Sequence, residues 1–121
     1  MKSLTNKVQL IGNVGNNPEV KTIEGGKKMA KFSIATSEVY RNAQGEKVKD
    51  TQWHNIVAWN GLAETAGRFL KKGKEVALEG RIVYRTYDDK KGVTKNITEI
   101  VLNDLLLLRN GGKAAPKEEN E

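Results

Sequence analysis

The sequence predicts a mainly β domain, and three observations carry that expectation. Apolar and polar residues alternate with a period of two through most of the chain. Gly, Pro, Asn and Asp interrupt the alternation at short intervals. One segment, Asn60 to Gly73, changes to helical spacing. At 121 residues the chain is the size of one domain with a modest core.

The elements follow in order. "NKVQLIGNVG" sets Val8, Leu10, Gly12 and Val14 against Gln9, Ile11 and Asn13, and ends in a turn at "GNNPE". A second turn is expected at Gly25–Gly26. "KMAKFSIATSEVY" then alternates Met29, Lys31, Ser33 and Ala35 with Ala30, Phe32, Ile34 and Thr36. A polar loop, "RNAQGEK", leads into a strand from about Val48 to Trp59. In "NGLAETAGRFLKKG" the apolar residues Leu62, Ala63, Ala66, Phe69 and Leu70 mark one face of a helix of about three turns. Asn60 is the expected N-cap and Gly73 the expected left-handed C-terminal cap, with Gly67 costing the helix about 1 kcal/mol. "KEVALEGRIVYRTY" puts Val76, Leu78, Gly80, Ile82 and Tyr84 on one strand face, "DDKKGV" turns, and "TKNITEIVLNDLLLL" closes the set. Three strands, a helix and two strands form the layout of a five-stranded Greek-key barrel with its helix between strands three and four, the OB-fold. Periodicity by itself leaves other small barrels open.

Residues 1–110 are expected to form the domain and 111–121, Gly- and charge-rich without an apolar anchor, a short disordered tail. The net charge is +6, and without the tail's two Lys and three Glu the body carries +7, which suits a polyanionic partner. With no Cys and one His, no cofactor, disulfide or metal site is expected. The longest apolar run, at 105–108, is too short to span a membrane, and the N-terminus has no long apolar segment, so a cytoplasmic protein is expected.

"TQWHNIVAW" holds both tryptophans and the single histidine. Trp53, Asn55, Val57 and Trp59 share one face; His54, Ile56 and Ala58 share the other. Six strand residues separate the two rings by about 20 Å, more than a small barrel core accommodates, so at least one emerges at a surface. Exposed rings beside Lys and Arg are what base stacking with phosphate tracking requires. Tyr40 precedes Arg41, and Tyr87 shares a face with Arg85, so each sets a ring beside a cation. Tyr84 faces the other way, towards the core or a subunit contact.

Four segments, "NKVQLIGNVGNNPEV", "FSIATSEVY", "TQWHNIVAW" and "LAETAGRFLKKGKEVALEGRI", together resemble the bacterial single-stranded DNA-binding protein family in its homotetrameric OB-fold form. The resemblance covers roughly residues 4–108. It implies sequence-independent binding and protection of single-stranded DNA in replication, recombination and repair, in a nucleoid-associated homotetramer. It implies stacking of bases on Tyr40, Trp53, Trp59 and Tyr87, where relatives often carry Trp, Trp, Phe and Trp. It implies phosphate contacts at Lys7, Lys21, Lys49, Lys72 and Arg85, with Asn55 standing where relatives often have Arg. His54 falls on the subunit-contact side. The tail departs from the family: "EENE" is acidic but follows Pro116 with no ring to anchor it, so weak or absent docking to replication and repair enzymes is expected.

Other readings compete. A replication-restart or single-stranded RNA-binding OB module would share the rings and the charge. An enzyme lacks support: Asp88 and Asp89 are neighbours in a turn composition, and no nucleophile–base pair, phosphate loop or metal cluster appears. A purely structural oligomer does not account for surface aromatics on a basic body.

Overall fold

The computed structural model describes residues 2–108. The tail expected to be disordered lies outside these residues. A single turn of helix, α1 (Lys2–Thr5), precedes β1 (Val8–Val14), β2 (Glu19–Thr22), β3 (Lys28–Arg41), β4 (Lys47–Trp59), α2 (Asn60–Phe69), β5 (Glu75–Asp88) and β6 (Thr94–Leu107). The sheet runs β1-β5-β6-β4-β3-β2. It closes through Asn13↔Ala35 and Val14↔Ile34, between β1 and β3, into a barrel of five strands. This is the expected OB layout, with α2 between the third and fourth barrel strands. The sixth strand, β2, hangs on the edge of β3 through Glu19↔Lys31 to Thr22↔Lys28.

The strand parities read from the sequence decide what fills the barrel. Ala30, Phe32 and Ile34 meet Ala58, Ile56 and His54 across β3–β4, and Val76, Leu78 and Gly80 of β5 meet Leu107, Leu105 and Leu102 of β6. Directly opposed residues share a face. The buried cluster comprises Val14, Ala30, Phe32, Ile34, Ile56, Ala58, Val76, Leu78, Ile100 and Leu102 from the strands. Ala63 and Ala66, small residues on one side of α2, and Leu70 just past its end complete it. Neither tryptophan belongs to this cluster. Tyr84 continues the barrel-facing parity of Ile82 but has run past the barrel end and is 75% exposed, so it is not a core residue.

The expected helix caps are corrected. Asn60 does not cap α2 with its side chain; it adopts a left-handed φ of 53° behind an extended Trp59, a conformation Asn tolerates better than most residues. The helix ends at Phe69, where Leu70 N–H still donates to Ala66 O. Gly73 is left-handed as expected, with φ 94°, but it belongs to the following turn, closed by Lys74 N–H to Lys71 O. Gly67, read as a cost, has a packing reason: a Cβ there would press into Val20 of β2.

β4 and β6 run parallel and pair only at Ile56↔Ile100 and Val57↔Val101. Beyond this point the β3–β4 and β5–β6 hairpins extend as separate two-stranded arms. Their tips are organised alike. Asn42 Oδ1 accepts from the N–H groups of Gln44 and Glu46, and Asp89 Oδ1 from those of Lys91 and Val93. In each tip a glycine, Gly45 or Gly92, takes the left-handed residue.

Candidate nucleic-acid interface

The face of β3 and β4 that turns away from the core carries the tryptophans. Register builds it row by row. Lys21, Met29 and Trp59 stand abreast on β2, β3 and β4. Glu19, Lys31 and Val57 form the next row, followed by Ser33 with Asn55 and by Ala35 with Trp53. Further out come Ser37 with Thr51, Val39 with Lys49, and Arg41 with Lys47. The same face continues onto β6 and β5 through Glu99, opposite Val83, Ile97, opposite Arg85, and Lys95, opposite Tyr87.

Trp53 is 64% exposed, and Trp59 is half-buried. The indole of Trp53 lies against the backbone of Gly15, where a Cβ would overlap the ring. That loop is pinned in place. Asn16 Oδ1 accepts from the backbone N–H (3.0 Å) and the hydroxyl (2.7 Å) of Ser33, and Asn17 Oδ1 accepts from Lys72 N–H at 2.9 Å. A loop after β1 thus supports the ring and is itself tied to the backbone at Lys72.

A groove of about 310 Å³ opens between β3, β4 and β6, lined among others by Asn16, Lys31, Asn55, Ile97 and Glu99. Glu99 is buried at its floor. Its Oε1 accepts from Arg85 Nε at 2.8 Å and its Oε2 from Arg85 Nη2 at 2.9 Å. These bonds hold the carboxyl below the usual carboxylate range; burial opposes them, and the positive charges of Arg85 and Lys31 reinforce them.

The expected site residues are therefore distributed unevenly. Trp53, Trp59, Lys21 and Lys49 share one face by register, and Tyr87 and Arg85 lie on its continuation. Arg85 is not a free cation, because Glu99 compensates its charge. Tyr40 opposes Val48 and has the other parity of the β3–β4 arm, although Arg41 beside it faces the Trp side. Lys7 lies on the β1–β5 side of the barrel, 3.6 Å from Glu79. His54 sits on the core-facing side of β4, half-buried, its Nε2 2.9 Å from Thr36 Oγ1. Among the described residues no cluster of His, Cys, Asp and Glu could hold a metal ion, and no helix is long and apolar enough to cross a membrane.

Two residues of the face escaped the sequence reading. Lys31 had a signal: it alternates with Met29, Ser33 and Ala35, the parity that turns out to oppose the Trp side of β4. Glu99 had none, since an acid within "NITEIVL" does not announce that an arginine fourteen residues earlier folds onto it.

Residues 5–108 match the model of the single-strand binding protein family. The chain belongs to that family. It is 45% identical over 118 residues to the single-stranded DNA-binding protein of Neisseria meningitidis serogroup A, covering 94% of this chain and 67% of that one. It is 44% identical over 104 residues to single-stranded DNA-binding protein 1 of Chlorobaculum tepidum, covering 85% and 64%. The chain thus spans about two thirds of the length of these curated relatives. A solved structure described as Plasmodium falciparum SSB in complex with ssDNA superposes with a TM-score of 0.78 at 37% identity, over 85% of this chain and 94% of that one. The family resemblance read from the sequence and the OB-fold both stand, and relatives named for binding give the enzyme reading no support.

Proposed function

We propose that the chain coats single-stranded DNA without sequence preference, protecting it during replication, recombination and repair. The observation that carries this reading is the β3–β4 face: two tryptophans outside the core, on one side of a basic sheet, in a member of this family. Stacking on Trp53, Trp59, Tyr87 and Tyr40 accepts any base, because every base has a π-face. Lys21, Lys31, Lys49 and Lys72 supply cations around the rings. Tyr40 joins by the strand bending around the β3–β4 arm, since its ring has the opposite parity. Lys7, already paired with Glu79, adds little.

The test is binding of thymidine and uridine oligomers and of duplex DNA over a salt series. The expected result is preference for the DNA single strand, with log K falling against log salt by about 0.7 per phosphate neutralised. Equal affinity for duplex, or a salt-independent constant, contradicts the reading.

The protein acts as a homotetramer in the same proposal. Ile56 and Ala58 line the barrel and the other face of β4 carries the tryptophans, so β4 leaves no spare apolar face for a subunit. The surface with that character lies on β1, β5 and β6. Ile11, Ala77 and Leu106 stand abreast there, with Ile11 and Leu106 more than half exposed. β1 pairs with β3 only at Asn13 and Val14, leaving Val8–Ile11 with one edge outside the ladder. An open edge beside an apolar patch favours pairing with another copy. Ile11→Glu is expected to lower the sedimenting mass with the monomer fold intact. A wild-type mass of one chain, 13.4 kDa, at micromolar concentration contradicts the tetramer.

A further inference from the structure

A buried carboxylate at the floor of a face meant for a polyanion needs a reason. Glu99 repels phosphate, and its side chain is only 7% exposed, so it offers the strand little to touch. What it does touch is Arg85. The bidentate geometry fixes the plane of the guanidinium through Nε and Nη2. The arginine remains 44% exposed, and its two bonds to Glu99 leave Nη1 and the outer hydrogen of Nη2 unused by that carboxylate. Arg85 lies two residues before Tyr87 on the same face of β5 and opposite Ile97 at the groove wall. An unrestrained arginine loses rotamer entropy when a ligand fixes it; one already locked loses less on binding.

We propose that Glu99 is a positioning residue of the binding face, acting through Arg85 and not by contact with the strand. The inference rests on the single-strand-binding reading above. Arg85 then serves as a pre-oriented donor edge and flat plate beside Tyr87, not as one more loose cation. The carboxylate's repulsion of phosphate is the cost of that order, and the compensated pair attracts counterions less than a free arginine would.

The experiment measures affinity of the full chain for a thymidine oligomer, at several salt concentrations, for wild type, Glu99→Gln, Arg85→Lys and the double variant. Positioning predicts that Glu99→Gln weakens binding about three- to tenfold, although it removes a negative charge from a basic face. Arg85→Lys weakens it similarly, although the charge is kept. The double variant is no worse than either single one, because both break one unit. Tighter or unchanged binding by Glu99→Gln overturns the proposal, as do losses that multiply in the double variant. A purely structural Glu99 lowers the melting temperature of Glu99→Gln and leaves affinity well below that temperature untouched, which also overturns it. Should Glu99→Gln fail to fold, Arg85→Lys decides: wild-type affinity there refutes the proposal. Failure of the wild type itself to bind single strands refutes the underlying reading, a distinguishable result.

Discussion

Trp53 shows how one residue's role depends on another's absence. The ring finds room because Gly15 has no side chain and because Asn16 holds the loop on Ser33. Trp53→Ala is expected to cost about 1–3 kcal/mol of single-strand affinity, one stacked base's worth, with little effect on unfolding. Gly15→Val displaces the ring and gives a similar loss, measurable in the same titration. At Glu99 the sign of the pH effect follows from its bonds. Its folded-state pKa is below the unfolded value of about 4.3, so the stabilisation is complete above that value and is lost as pH falls through the lower one. Urea midpoints taken across this acid range are expected to drop more steeply for wild type than for Glu99→Gln; parallel curves contradict the bridge.

The elements differ in how much of them the sequence shows. β3, β4 and β5 were legible because half their residues line the barrel, and burial of one face imposes the period of two. β2 was not: "EVKT" is exposed along its whole length and forms because the edge of β3 needs a partner, a tertiary demand without a local pattern. The ends of α2 are hidden for a related reason. Asn60 and Gly73 stand where the sequence pattern sets caps, whereas their left-handed conformations serve the exit from β4 and the re-entry into β5. Gly67 belongs to this scale as well. Gly67→Ala gains about 1 kcal/mol of helix propensity but presses on Val20. The gain is expected to appear in full only in a Val20→Ala background, as a non-additive pair in thermal unfolding; equal effects in both backgrounds contradict the contact.

For the whole molecule, five strands and one helix enclose a core of small and medium residues. Ile34→Ala, at a site with no exposed surface, is expected to lower stability by about 2–5 kcal/mol in denaturant unfolding. The barrel turns its tryptophan face one way and its Ile11–Leu106 face another, so the surfaces proposed for binding and for assembly are separate. Alternation placed both tryptophans on one face and predicted their emergence. The distribution of cations around them was legible only in part, because Lys7 and Arg85 have carboxylate partners that only register brings near. Whether the β3–β4 face grips single strands by its rings is tested most directly by tryptophan emission titrated with a long thymidine oligomer. Strong, saturable quenching, smaller in Trp53→Phe where only Trp59 reports, is the predicted result; tight binding with emission unchanged would contradict it.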